Sequence, residues 1–157
     1  MVELTLVGVR IELPTQQPIV LLRERDGDRF LPIFIGTVEA TAIAFALQGV
    51  ATARPMTHDL MKHVLDALAA DVERIVITEL KEGTFFASLQ LRQGDKQYSV
   101  SSRPSDAIAL AVRMGAPIFA EEGVMAEAAI VIKSDDEELE VERFREFLEQ
   151  VRPEDFQ

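Results

Sequence analysis

Between Thr37 and Gly49 the chain reads TVEATAIAFALQG, and this segment constrains the fold more than any other. Wound as an α-helix at 100° per residue, its Val38, Ala40, Ala42, Ile43, Ala44, Phe45, Ala46 and Leu47 surround the axis almost completely. Only Thr37, Thr41 and Gln48 form a thin polar seam. A helix without a solvent face has to be covered on most sides by other elements. Glu39 lies outside the seam, between Ala46 and Ile43, where burial is expected. An ionised carboxylate there needs a cation, a metal ion or several donors to offset its desolvation. Two readings stand side by side. With Gly36 as N-cap, Glu39 is the third helical residue and reaches back to a backbone N–H. Alternatively it is a carboxylate held for chemistry, paired with Arg54, Arg103 or a divalent ion.

What surrounds that helix is written in alternation and turn signals. Strands are expected at about 2–13, 18–24 and 29–35, the last two joined across Asp26-Gly27. The apolar phase of the first strand shifts after Leu6, so a bulge near Gly8 or a strand covered on both faces is expected. A helix at about 57–69 follows, then strands at 72–81, 84–92 and 96–102 with turns at Glu82-Gly83 and Gly94-Asp95. A helix at 104–114 and a short strand at 117–120 close the pattern. Meandering strands with segregated helices indicate an α+β fold with three core helices, and the two strand blocks hint at a structural duplication.

Two helix entrances share a grammar. "ARPMTHDLM" and "SSRPSDAIALAV" both place an arginine and a proline before a hydroxyl and an aspartate. Proline suits a first turn, hydroxyls cap, and an acid complements the positive helix end. The arginine is unexplained, because a guanidinium opposes that dipole unless an anion lies between them. A neighbouring acid or a bound phosphate would serve. In helix 57–69, Leu60, Met61, Val64, Leu65 and Leu68 share one face, and Asp59, Lys62, His63 and Asp66 the other. His58 and His63 point about 140° apart, so they form no two-histidine metal site, and His63 reads as a solvated, salt-bridged residue.

The formal charge is −11. Ten acids and three arginines from Ser134 onward account for −7 of it, leaving −4 for residues 1–133. No stretch has the basic surplus of a protein that grips nucleic acid by its phosphates, so binding to DNA or RNA is expected to be weak. Absence of cysteine excludes disulfides, zinc–thiolate sites and thiol nucleophiles, and fits a cytoplasmic location. Glu3 and Arg10 interrupt the first apolar run, so it is neither a signal peptide nor a membrane span. In the acidic segment 134–157, Val141, Phe144, Phe147, Leu148 and Val151 make an amphipathic C-terminal helix. It is expected to fold onto the domain or a second subunit, or to engage a protein partner.

The stretches "LPIFIGTVEATAIAFALQG", "ARPMTHDLM" and "SSRPSDAIALAVRMGAPIFA" resemble the signature segments of the bifunctional nuclease family. The resemblance covers roughly residues 1–133, and "FREFLEQVRPEDF" is similar to the ending of many bacterial members. It implies a roll-like α+β domain, often a homo-oligomer, that cleaves both DNA and RNA. The positions matching its motifs are Glu39, Arg54, Thr57, His58, Asp59, Arg103, Ser105 and Asp106. The chemistry these residue types suit is metal-assisted phosphodiester hydrolysis. Glu39, Asp59 and Asp106 are hard oxygen ligands for magnesium or manganese. Arg54 and Arg103, with Thr57 and Ser105, would hold the phosphate, and His58 would act as base or acid. The competing expectation is a non-catalytic regulatory or scaffold domain, in which acids and arginines form internal pairs and a protein or small phosphorylated ligand binds.

Overall fold

The computed structural model describes residues 1–12 and 15–131. Its elements are β1 (Val2–Glu12), β2 (Gln17–Glu24), β3 (Phe30–Phe34), α1 (Thr37–Gln48), α2 (Thr57–Ala67), β4 (Ala70–Lys81), β5 (Thr84–Gln93), β6 (Lys96–Ser102), α3 (Pro104–Met114), β7 (Ile118–Ala120) and α4 (Glu122–Ala128). The strands form one sheet in the order β3-β2-β1-β7-β4-β5-β6, antiparallel throughout except where β4 meets β7. This is the α+β fold that the strand and helix pattern indicates, with the mixed, largely antiparallel sheet expected of the roll-like domain that the resemblance implies. The amphipathic helix expected in 134–157 lies outside the described residues.

Local chemistry sets the strand pairing. In β1 the register with β2 slips between Leu6 and Gly8, and Gly8 has φ 154°. The slip lets Leu4 and Leu6 on one phase and Val9 and Ile11 on the other all contribute to the core. Between β4 and β5, Lys81 pairs with Thr84, leaving Glu82 and Gly83 as a two-residue loop with φ 52° and 77°. Both values are positive, as a type I′ turn requires.

The two strand blocks flank β7. Each starts beside it, meanders outward to an edge, and is followed by a helix: α1 against β1 and β2, α3 against β4 and β5. The two helices pack on each other, and α2 leans on α3 and β4. Ile43, Ile75, Ile77, Ile108 and Leu110 are fully enclosed at their junction. Each such side chain stabilises the fold by roughly 1.5–3 kcal/mol. Helix α4, absent from the sequence expectations, buries Val124 and Met125 in the same core and touches β4 and β3. Phe30 and Ile130 then exchange backbone hydrogen bonds of 2.7 and 2.8 Å, which closes the β3 edge.

Two expectations about burial change. Helix α1 is not covered on all sides: Ala40–Phe45 are buried, while Val38 is 65% exposed and Leu47 45%. In α2 the apolar face carrying Leu60, Val64 and Leu68 is exposed, and the helix's buried residue is His58. The helix docks through His58 and through Met61 and Leu65, which pack against the core, so one side of its apolar face is covered and the other is open.

Candidate active site

Three helices begin alike. Gly36, Met56 and Arg103 are the N-caps of α1, α2 and α3, and the third residue of each helix is an acid: Glu39, Asp59 and Asp106. A carboxylate there faces unpaired backbone N–H groups and the positive end of the helix dipole. Asp59 uses one oxygen for that purpose, accepting a 3.0 Å bond from the Met56 N–H. All three acids are also bound by an arginine.

Arg103 joins the entrances of α1 and α3. Its Nε donates to Asp106 Oδ2 at 2.9 Å, Nη2 to Asp106 Oδ1 at 3.2 Å, and Nη1 to Glu39 Oε1 at 3.2 Å. The anion that an arginine at a helix N-terminus requires is therefore supplied by the protein itself. Behind it, His58 Nε2 lies 2.9 Å from Asp106 Oδ1. Burial raises the Asp106 pKa, but the hydrogen bonds from Arg103 and His58 outweigh it and hold the carboxyl below its ordinary range. Ionised Asp106 only accepts, so Nε2 carries a hydrogen. The pair to Asp106 in turn raises the Arg103 pKa, with a smaller contribution from Glu39.

Two of these four residues, Glu39 and Arg103, line a cavity of about 430 Å³. Its walls include Phe34, Glu39, Thr84, Phe85, Arg103 and Ser105, so the end of β3 and the β4–β5 hairpin face each other across it. Neither α1 nor α3 has a side-chain cap at its N-terminus. The Arg103 side chain is 64% exposed and those of Asp106 and Glu39 29% and 23%, whereas His58 is buried. Glu39 is thus less enclosed than α1's sequence suggests. Its carboxylate folds back against Gly36, where a Cβ would collide with Oε2.

Asp59 belongs to a different assembly. Its Oδ1 accepts a 2.7 Å bond from Arg113 Nε, and Arg113 also donates to the Ala109 and Ala42 carbonyls. The Arg113 side chain is only 8% exposed and ties α1, α2 and α3 together. Burial raises the Asp59 pKa, but the bonds from Arg113 and the Met56 N–H hold it below the usual carboxylate range. Glu39, Asp59 and Asp106 therefore do not gather round one point, and no cluster of three or more histidine and acidic side chains suited to a metal is found among the described residues. The donor set that remains is Glu39 with Asp106, two carboxylates within reach of one guanidinium. That set suits magnesium, which commonly takes one or two carboxylates and completes its shell with water and substrate phosphate.

Of the eight motif positions, Glu39, His58, Arg103, Ser105 and Asp106 meet at the cleft or directly behind it. Arg54 and Thr57 are exposed, and neither lines the cavity. Thr84 and Phe85 do line it, and nothing in their sequence context marks them, because the hairpin reaches the cleft only through the roll of the sheet.

Residues 20–133 match the bifunctional nuclease domain. The chain belongs to the bifunctional nuclease domain family. It is 48% identical over 98% of its length to an uncharacterised protein of Mycobacterium tuberculosis strain H37Rv, covering 97% of that protein. It is similar to bifunctional nuclease 2 of Arabidopsis thaliana, 35% identical over 68% of this chain and 34% of the plant protein. With bifunctional nuclease 2 of Oryza sativa subsp. japonica it shares 32% identity over 71% of this chain and 35% of that protein. The family match begins within β2 and spans both helix entrances that form the cleft.

Proposed function

We propose that the chain is a metal-dependent nuclease of the cytoplasm that hydrolyses phosphodiester bonds of DNA and RNA, without strong sequence preference, in the cleft between α1 and α3. The observation that carries this reading is Arg103, exposed and bound to two carboxylates where two uncapped helix N-termini meet. A guanidinium has five N–H donors, and three are engaged with Glu39 and Asp106. The other two are available to a phosphate oxygen, and backbone N–H groups at the helix ends add to that attraction.

Both oxygens of Asp106 accept from Arg103 and one also meets His58, so Asp106 is already committed. Its role is to aim Arg103. His58, buried behind it, positions Asp106. Glu39 accepts the proton of the attacking water at Oε2, the oxygen not bonded to Arg103. A magnesium or manganese ion held by Glu39 and Asp106 would supply Lewis-acid polarisation of the phosphate. Without a broad basic surface, the substrate is held locally and binding weakens with salt. Among the described residues no helix is long and apolar enough to cross a membrane.

The test is cleavage of labelled single- and double-stranded DNA and RNA with magnesium, manganese or chelator. Arg103→Ala and Glu39→Gln should each lower the rate by about 100-fold or more, as loss of a group that stabilises developing charge does. Arg54→Ala should retain most of it. Undiminished cleavage in both variants would defeat the proposed site. No cleavage by the wild type would favour the second reading, a scaffold or ligand-binding domain. That reading draws on the pairing of Glu39, Asp59 and Asp106 with arginine and on the −11 charge.

A further inference from the structure

One wall of the cleft between α1 and α3 takes no part in the proposed hydrolysis. Two phenylalanines line it, Phe34 at the end of β3 and Phe85 at the second position of β5. Phe85 is on the same face of β5 as Ala87 and Leu89, which belong to the core, and it packs against that core while staying only half-buried. Phe34 is 56% exposed, although Ile33 and Ile35 on either side of it are buried. Among the described residues neither ring meets another aromatic ring. A single exposed phenylalanine needs no explanation. Two that line the same cavity as Glu39 and Arg103 do.

The occupant of such a cavity has to answer both of its walls. Arg103 has two N–H donors beyond those engaged with Glu39 and Asp106, and the N-termini of α1 and α3 have no side-chain caps, so one end of the occupant is an anion. The rings suit a flat apolar group on the same molecule. An apolar peptide side chain would cover the rings and leave the guanidinium without an anion, and inorganic phosphate would do the reverse. A nucleotide carries a phosphate and a base whose faces stack on aromatic rings. The volume of about 430 Å³ is low in the range of roughly 300–1,000 Å³ that small ligands occupy. It admits one nucleotide. A base inside a duplex is already paired and stacked on both faces, and it has no face to offer.

We infer, resting on the nuclease reading above, that the cleft takes an unpaired nucleotide, its base against Phe85 and Phe34 and its phosphate on Arg103. Single-stranded DNA and RNA are then the substrates, and a duplex is admitted only where its strands separate. Stacking is tolerant of sequence because every base has a π-face, in keeping with a nuclease of no strong sequence preference. It also supplies affinity that a chain of charge −11 without a basic surface does not gain from phosphates. A duplex brings this cleft a phosphate and no base, so it keeps only the weaker, salt-sensitive part of the attraction.

The test uses one labelled oligonucleotide, free and annealed to its complement. Fluorescence anisotropy in chelator reads binding apart from cleavage, and initial rates with magnesium or manganese read the reaction. The single strand should bind about tenfold or more tighter than the duplex, as one stacked base provides. Phe85→Leu keeps apolar volume for the core and loses the aromatic face, and Phe34→Ala removes a side chain that is largely in water. Each should weaken single-strand binding about tenfold and leave duplex binding as it is. Neither should alter the salt dependence of binding, since no phosphate contact is lost, whereas Arg103→Ala should make it shallower. Melting curves establish that each variant is folded. Equal affinity for strand and duplex, or single-strand binding that both phenylalanine variants retain, would overturn the inference. Equal cleavage of both forms, undiminished in those variants, would overturn it while leaving the nuclease reading in place. Ring-dependent binding of the single strand with no cleavage in either metal would defeat the nuclease reading and leave the unpaired-nucleotide site standing.

Discussion

Arg113 and Arg103 each bind a carboxylate at the third position of a helix, yet one is sealed between three helices and the other stands in an open cleft. Their side chains are 8% and 64% exposed. Arg113 also donates to two backbone carbonyls from different helices, and Asp59 accepts the N-cap N–H of α2, so the pair completes hydrogen bonding inside the fold. Arg103 makes no such commitment. It spans two acids from separate helices while water reaches its remaining donors. Similar local sequence thus yields a structural tie in one place and a group available to a ligand in the other, and burial makes the difference.

The contrast breaks first at Arg113. Removing one partner of a buried pair leaves the other charge and its hydrogen-bonding groups unsatisfied. Arg113→Met should therefore destabilise the protein by about 3 kcal/mol, below the upper range because Asp59 keeps some solvent contact. Thermal unfolding should move down by roughly 6–12 °C for a chain of this size. Cleavage measured well below the melting point should change little. A variant that melts like the wild type would show that the three-helix tie contributes nothing.

Arg103→Met should give the opposite pattern. An exposed ion pair stabilises by about 0–1 kcal/mol, so the melt should shift by a few degrees at most. Cleavage should fall by about 100-fold or more. A large loss of stability with activity retained would make Arg103 a structural tie like Arg113.

The two assemblies also mark how far the sequence could be read. Strand positions and hairpins were legible because period-two alternation and Glu82-Gly83 or Gly94-Asp95 signals act locally. The entrances of α1, α2 and α3 were legible for the same reason. Which acid meets which arginine was not, since Asp59 and Arg113 are 54 residues apart and Glu39 and Arg103 are 64. Such pairings depend on how α1 and α3 lie across the rolled sheet. Helix α4 is too short to show a period, and β7 owes its place between β1 and β4 to non-local pairing. The exposed face of α2 violated its apolar pattern because that pattern says a face wants cover, not what provides it.

Acid separates the assemblies more gently. The folded pKa values of Asp59 and Asp106 are below the unfolded value near 3.9. Each therefore contributes stability that is fully present above about pH 5 and is lost as pH falls through the folded value. Urea midpoints should be flat from neutral pH to about 5 and decline below about 4. Arg113→Met should flatten the part of the decline that Asp59 contributes, because without the guanidinium the carboxyl returns toward its ordinary value. A wild-type midpoint that rises on acidification through this window would contradict both lowered values.

The smallest change to stability should come from Gly36→Ala, and it examines the cleft at its least conspicuous point. Gly36 has φ −78°, a conformation alanine adopts readily, so the backbone itself offers no objection. The added methyl collides with the far end of the Glu39 side chain, which can rotate away. Stability should thus stay within about 0.5 kcal/mol, as for surface substitutions generally. Activity should not be spared. Glu39 displaced from Gly36 moves relative to Arg103, and a misplacement of about 1 Å in a catalytic group can lower a rate by up to 100-fold. Cleavage reduced by about tenfold in a protein with an unchanged melt is the expected result. Unchanged cleavage would mean that the position of Glu39 is immaterial, leaving Arg103 and the two helix ends to support any reaction in the cleft.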